Sequence, residues 1–267
     1  MPLAVCATPI GNLEDVTLRV LDELRAADVV LCEDTRHTRG LLERHGIDAR
    51  LVSYHEHNEA ARTAELLPRL EAGDRVALVS DAGMPGVSDP GARLVRAALD
   101  AGVQVTVLPG PSAVETALVA SGLVGDRYQF VGFLPRRAGE LATLWEELAR
   151  SPWPAVAFES PQRLPASLTS LARVDPDRPV AVCRELTKRF EEVVRGTAAE
   201  LASRFSEPSR GEITVVFGPA PAADGVDAAA VEAVGELVAA GLGRRRASEL
   251  VARLTGAPRN ALYRASL

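Results

Sequence analysis

Cysteine and aromatic residues are scarce in this chain of 267 residues. Three cysteines (Cys6, Cys32 and Cys183) are too few and too scattered for a disulfide framework or a zinc cluster. Each lies in an apolar run, where a free thiol behaves as a small hydrophobe. Aromatic residues make up only 4% of the chain, so Leu, Val and Ala must fill the core. No apolar run reaches the 18 or so residues of a transmembrane helix. The opening MPLAVCATPIGNLED lacks a basic leader and reads directly into a strand, so no signal peptide is expected and the setting is cytoplasmic. None of the glycine-rich loops spells G-x-G-x-x-G or G-x-x-x-x-G-K-[ST], which argues against a Rossmann dinucleotide site and a P-loop.

What is present is the mix of a soluble globular protein, 47% apolar and 25% charged, with length for one large or two ordinary domains. Short apolar runs alternate with amphipathic stretches, the pattern of an α/β chain with largely parallel strands. The runs Leu3–Ala7, Val29–Cys32, Val76–Ser80 and Val103–Leu108 read as strands in the first half. Ala155–Phe158, Val180–Cys183 and Ile213–Phe217 read as strands in the second. Asp15 is placed to cap a helix, and Asn58 to open another that runs to Gly73 despite Pro68. Asp89-Pro90 reads as a cap with proline in the first turn of a helix closed by Gly102. Ser112 and Glu115 have capping-box spacing, with Gly122 ending that segment.

The texture changes near 122, and GPAPAADG (218–225) reads as a linker. The expected organisation is therefore two consecutive α/β domains, 1–122 and 123–219, then a helical appendage over 220–267. Within ASELVARLTGAPRNALYRA two amphipathic stretches flank a turn, with Pro258 in the first turn of the second helix. Net charge is −6, unevenly spread. From Gly241 onward there are six arginines against Glu249 alone, a charge of +5 that leaves −11 on residues 1–240. Such an asymmetry points to a nucleic-acid partner for the tail, which the total charge alone would disfavour.

Parallel α/β sheets hold ligands outside the carboxyl ends of their strands. Three loops follow strands in the first half: Thr8 to Asn12, SDAGMPGVSDPG (Ser80 to Gly91), and Pro109 to Ala113. Glycine lets backbone approach a ligand, and a helix start attracts an anion. Asp81 is placed to accept from an ammonium or a ribose hydroxyl. Polar clusters at CEDTRHT, YHEHNE, FESPQR and CRELTKR also follow apolar runs and are expected to converge on one face. His55 and His57 alternate as on a strand, but no third ligand accompanies them, so no metal is expected.

The combination TPIGNLEDVTLRVLDEL, EDTRHT, SDAGMPGVSDPG, PGPSA, GFLP, FESPQRL, RELTK and Gly211-Glu212 resembles the tetrapyrrole-methylase superfamily. These are the class III S-adenosylmethionine-dependent methyltransferases. EDTRHT, HEHNE, RELTK and the ending NALY resemble the branch that methylates a cytidine 2′-oxygen in the decoding region of bacterial small-subunit (16S) ribosomal RNA. The resemblance implies a homodimer with S-adenosylmethionine folded into a cleft between two α/β domains. It implies cofactor contacts from Ile10, Asp81, Met84, Ser112, Ala113, Phe158 and Ile213. The superfamily often has Gly-Asp-Pro where this chain has Ser80-Asp81-Ala82. A ribose hydroxyl is a poor nucleophile, so a nearby base or cation is expected from Lys188, His55, Asp34 or Glu159, the first two foremost. Arg36, Arg184, Arg244, Arg245, Arg246 and Arg259 are the expected RNA contacts. Two other readings stay open on the sequence alone: a corrin or porphyrin precursor C-methyltransferase, and a non-enzymatic RNA-binding assembly factor.

Overall fold

The first sheet of the computed structural model is parallel throughout, in the order β3-β2-β4-β1-β5. Its strands are β1 (Leu3–Cys6), β2 (Val29–Cys32), β3 (Leu51–Ser53), β4 (Val76–Leu78) and β5 (Val105–Leu108). Between and after them run α1 (Leu18–Ala26), α2 (Thr35–Arg44), α3 (Glu59–Glu71), α4 (Ala92–Asp100) and α5 (Ala113–Ser121). Both faces are covered, as continuous apolar strands require. Leu3, Val5 and Leu78 pack with Leu66, Leu70 and Leu94 on one side, and Ala4, Cys6 and Val30 with Val20, Leu24 and Leu42 on the other. The structure describes residues 2–220 and 227–267, so most of the segment read as a linker lies outside the described residues.

The second sheet has the order β6-β7-β10-β8-β9. It comprises β6 (Gln129–Phe133), α6 (Ala138–Leu148), β7 (Ala155–Glu159), α7 (Leu164–Val174), β8 (Pro179–Arg184), β9 (Glu192–Thr197), α8 (Ala198–Arg204) and β10 (Ile213–Phe217). Here the expectation of largely parallel strands fails: β6 and β7 are parallel, but β10 runs antiparallel to both neighbours and β8 to β9. The β8–β9 connection carries no crossover helix, and a short connection can only join antiparallel neighbours. One face packs on α6, α7 and α8 around Trp145 and Phe217. The opposite face receives α5, whose Val114, Ala117 and Leu118 meet Val156, Ala181 and Val216. Thus α5 ends the first sheet's series and caps the second sheet.

Two compact units emerge, Met1–Gly218 and Pro219–Leu267. In the second, α9 (Ala228–Ala239), α10 (Arg244–Thr255) and α11 (Arg259–Ala265) enclose Ala230, Val234, Ala247, Val251 and Leu262. Gly256, in the left-handed region at φ +75°, ends α10. Pro258 stands just before α11, where its carbonyl accepts the Ala261 and Leu262 N–H groups.

Several helix starts differ from the expected ones. Thr17, not Asp15, caps α1 by accepting the Val20 N–H, which leaves Asp15 in the preceding loop. Asn58 precedes α3 but spends its side-chain oxygen on the His55 N–H. Gly91 replaces Asp89 as the cap of α4, so Asp89 and Pro90 stay in the loop. The Ser112 hydroxyl donates to the Glu115 carboxylate, so no capping box forms at α5. Asx and hydroxyl side chains have several local backbone partners, and spacing alone does not choose among them.

Candidate active site

The three glycine-rich loops meet at the carboxyl edge of the first sheet. Thr8 and Gly83 exchange backbone hydrogen bonds at 2.9 and 3.1 Å, joining the loops after β1 and β4. The Thr8 hydroxyl donates to the Ser80 carbonyl at 2.9 Å, and the Ser80 hydroxyl to the Gly83 carbonyl at 3.1 Å. Gly83 has φ +81°, and a Cβ there would face Ile10 and the Pro111 carbonyl of the third loop. Gly110 approaches Ala7 so closely that a Cβ would lie 2.9 Å from the alanine methyl. The sequence therefore needs glycine here for contact between loops.

These loops form one wall of a cleft of about 410 Å³, and the strand ends of the second sheet form the other. That volume falls in the 300–1,000 Å³ range of small-molecule sites. All seven residues expected to touch a cofactor line it: Ile10, Asp81, Met84, Ser112, Ala113, Phe158 and Ile213. Sequence reasoning missed Phe133, Ser88, Asp89, Leu186 and Glu212, which also line it. Phe133 is aimed there by a register shift in β6 beside Gly132, at φ +70°. It stacks edgewise on Phe158, which Phe130 supports from another side, with ring centroids 5.4 and 5.0 Å away. The motif GFLP held that signal in its glycine. Cys183 lines the cleft as well, and burial pushes its thiol up to about 11, so it remains an inert thiol near neutral pH.

The turn after β8 closes the cleft against the first loop. Glu185 and Thr187 adopt positive φ, +53° and +64°. The Glu185 carboxylate accepts the Glu212 N–H and the Lys188 ammonium, each at 2.9 Å, and Lys188 also reaches Glu212 at 3.0 Å. Thr187 accepts the Asn12 N–H at 3.0 Å. Burial works against the Lys188 charge, but the two carboxylates outweigh it and hold the ammonium above the ordinary lysine range. Lys188 is thus a charged clamp with no free proton-accepting form near neutral pH.

The other expected chemical residues are not gathered at one point. Glu159 lines the cleft, yet its side chain is fully buried and engaged by the Ser160 N–H at 2.7 Å, the Ser167 hydroxyl at 2.5 Å and Arg163 at 3.2 Å. Asp34 accepts the Arg36 N–H and its guanidinium, which hold the carboxyl down to about 2. The Asp34 N–H in turn donates to Asp81 at 3.1 Å. His55 does not line the cleft. Its Nε2 is 3.2 Å from Asn58 Nδ2, while its buried Nδ1 has no partner. β3 stops at Ser53, so His55 and His57 stand in a turn and not on one strand face, with rings 5.9 Å apart. Among the described residues no group of three His, Cys, Asp or Glu side chains is arranged for a metal.

Of the expected RNA contacts, Arg36 is exposed but tied to Asp34, and Arg184 forks onto Glu192 at 3.1 and 3.0 Å. Arg246 pairs with Glu249 at 3.0 Å. Arg244 opens α10, while Arg245 and Arg259 border a hollow of about 160 Å³ with Ser248 and Tyr263.

The cleft suits a molecule with an apolar, ring-bearing part and a polar end. Apolar walls from Ile10, Met84, Phe133 and Phe158 stand beside Asp81, Ser112 and Glu212. Gly83 and Gly211, both at positive φ, also line the cleft.

Residues 2–202 match the family model of Tetrapyrrole (Corrin/Porphyrin) Methylases, and residues 225–267 match the RsmI C-terminal HTH domain. The chain is 46% identical to "Ribosomal RNA small subunit methyltransferase I" of Mesorhizobium japonicum, covering 98% of this chain and 90% of that protein. It is also 46% identical to the protein of the same name from Micromonospora olivasterospora, over 98% and 85%. Among solved structures, uroporphyrin-III C-methyltransferase from Thermus thermophilus complexed with S-adenyl homocysteine shares the fold. The TM-score is 0.57 at 23% identity, over 81% of this chain and 96% of that one.

The seam between the first loop and the turn after β8 has a direct test. A Cβ on Gly11 would lie 2.9 Å from the Leu186 carbonyl, 2.8 Å from Thr187 Oγ1 and 2.5 Å from Lys188 Cγ. Gly11→Ala should lower stability by about 1–3 kcal/mol in urea unfolding, the usual cost of overpacking. Gly40, inside α2 with open space around it, is the control. Gly40→Ala should be stabilising by about 0.4–1 kcal/mol. Equal effects at the two sites would mean that the seam is not tightly packed.

Proposed function

Because the chain belongs to the tetrapyrrole methylase family, we propose that it methylates the 2′-oxygen of a cytidine ribose in the decoding region of small-subunit (16S) ribosomal RNA. It is an S-adenosylmethionine-dependent methyltransferase, and the small ribosomal subunit is its proposed partner. The observation that carries the substrate assignment is the near-full-length identity to relatives named for small-subunit ribosomal RNA methylation, body and tail together. Cytidine and the decoding region rest on the resemblance of EDTRHT, HEHNE and RELTK, a homodimeric state on the resemblance to the superfamily, and a cytoplasmic setting on the relatives named for ribosomal RNA methylation.

Bound in the cleft, S-adenosylmethionine would supply an electrophilic methyl carbon with a neutral thioether leaving group. The protein must then align the nucleophile and keep water out. Ile10, Met84, Ala113, Phe158 and Ile213 would hold the apolar parts of the cofactor. Asp81 and Ser112 would take its polar groups. Asp81 already has one backbone donor from Asp34, which fixes its carboxylate before any ligand arrives. Lys188 and Glu185 keep the second-sheet wall closed on the first loop, a positioning role and not proton transfer.

Mass mapping of small-subunit RNA from cells with and without the gene tests the reaction. A single ribose methyl that blocks alkaline cleavage at its linkage is the expected difference. A methylated base with an alkali-labile backbone would overturn the reading. Calorimetry should find one S-adenosylmethionine site per chain, and Asp81→Asn should weaken it by about 10- to 100-fold if one charge-assisted hydrogen bond worth roughly 1.5–3 kcal/mol is lost. Unchanged affinity would remove Asp81 from the cofactor set.

The tail is proposed to dock RNA through phosphate. Each neutralised phosphate releases counterions, so binding should depend steeply on salt. Replacing Arg244, Arg245 and Arg259 together by alanine should weaken small-subunit binding and make its salt dependence shallower, by roughly 0.7–0.9 in the log–log slope per lost contact. Cofactor affinity should stay unchanged. The same slope and affinity in the triple variant would show that these arginines do not meet RNA.

A further inference from the structure

The cleft has a neighbour. A second, wider hollow of about 810 Å³ opens among Glu33, Glu56, Glu59, Arg93, Arg96 and Asp100. Ser88 and Asp89 are the two residues that line both cavities. They sit on the loop between β4 and α4, where Ser88 has φ +60°, a region that costs energy for a side-chain-bearing residue. Methyl transfer needs two reactants brought together from separate seats, so a carboxylate on the wall between two cavities is placed where they would meet.

The other carboxylates of the cleft are already committed. Glu159 has three donors, Glu212 holds Lys188, and Asp81 accepts the Asp34 N–H. Asp89 lies near the Ser80 hydroxyl, whose proton goes to the Gly83 carbonyl, and has, among the described residues, no ion pair. We propose that Asp89 is the proton acceptor for the ribose hydroxyl, with the target nucleotide entering from the second hollow. This rests on the ribose-methylation reading above. The hydroxyl oxygen forms its bond to the methyl carbon as the carbon–sulfur bond breaks and that electron pair leaves with sulfur. The hydroxyl proton passes to the Asp89 carboxylate.

The surroundings of Asp89 suit the task. Burial raises its carboxyl first, and the negative Glu33 and Asp81 add to this, to about 6. Glu56, Glu59 and Asp100 lie farther around the hollow, with Arg93 and Arg96 as its cations, and Arg93 is already 4.0 Å from Glu59. A base whose pKa lies just below the working pH is largely deprotonated yet still accepts a proton well. The sign follows: the active form is the carboxylate, so turnover should rise with pH up to about 6 and then level.

The test uses the full chain, S-adenosylmethionine, and small subunits purified from cells lacking the gene. Wild type should show the rising limb in kcat, and Asp89→Asn should lose it together with about 100-fold or more of kcat. Calorimetric affinity for S-adenosylmethionine and KM for subunits should each change less than about threefold, the pattern of an interaction made in the transition state. Asp89→Glu should keep a limb, displaced from the wild-type position. Asp89→Asn with kcat within threefold and the same limb would overturn the proposal, as would a loss confined to cofactor affinity. Should Asp89→Asn not fold, Asp89→Glu decides, since a limb unmoved by that change belongs to another group. If wild type places no methyl on ribose oxygen, the reaction assignment itself is wrong, an outcome read on wild type before any variant.

Discussion

The cleft depends on one carboxylate, that of Glu185. It sits in a left-handed turn, where it binds the Lys188 ammonium and caps the Glu212 N–H, while Gly211 packs directly on its side chain. A side chain at 211 would occupy the space of that carboxylate, since a Cβ there falls 2.5 Å from Glu185 Cγ. The glycine and the acid therefore specify one another. Through Thr187 the same turn receives the Asn12 N–H, so a loop of the first sheet is fastened to the second. Two elements of unfavourable backbone, at 185 and 187, are held by hydrogen bonds to Glu212, Lys188 and Asn12. Such strain persists only where the surroundings over-determine it.

With that seam in place, topology sets where the cleft lies. Every strand of the first sheet is parallel, so all its following loops emerge at one edge. The strand order places β1 between β4 and β5, and it is the loops after these three strands that make the wall. The second sheet is mixed, yet β7 and β8 both run antiparallel to β10 and so share a direction. Their carboxyl ends therefore lie at one edge with Phe158 and Leu186, beside the start of β10 at Ile213. Helix α5 serves both halves: its first residues line the cleft and its apolar face covers the second sheet.

The loops were legible because glycine and proline mark positions that admit few alternatives. The central strands were legible because burial on both faces leaves unbroken apolar runs. The three strands that sequence reading passed over, β3, β6 and β9, all lie at sheet edges, where one side faces solvent and the run is diluted by polar residues. The reach of the polar clusters was legible only in part. Glu159, Lys188, Asp34 and Arg184 each carry the right chemistry by residue type, but each is neutralised by a partner. For Lys188 that partner set includes Glu212, 24 residues away in sequence and invisible to local spacing. Asp89 ran the other way: in sequence it looked like a helix cap, and the shift of that cap to Gly91 is what frees it.

Charge explains how an acidic protein can act on a polyanion. The −11 on residues 1–240 opposes phosphate in general, and the carboxylates around Asp89 oppose it locally. A ribose hydroxyl carries no charge and is not repelled, whereas the linkages on either side are. Acidic walls thus favour a nucleotide presented singly, with its phosphates outside, over a run of backbone laid along the cleft. The same negative field raises the basicity of a carboxylate at the wall, because each neighbouring charge disfavours its ionised form. Attraction must then come from elsewhere, and the +5 from Gly241 onward is its proposed source. Salt screens long-range attraction by the tail and repulsion by the body alike, with a Debye length near 8 Å at physiological strength. Only contacts closer than that retain their full effect. Repulsion at the cleft wall, where charges are partly buried, should therefore outlast attraction at the exposed arginines as salt rises, so the division of charge sets selectivity as well as affinity.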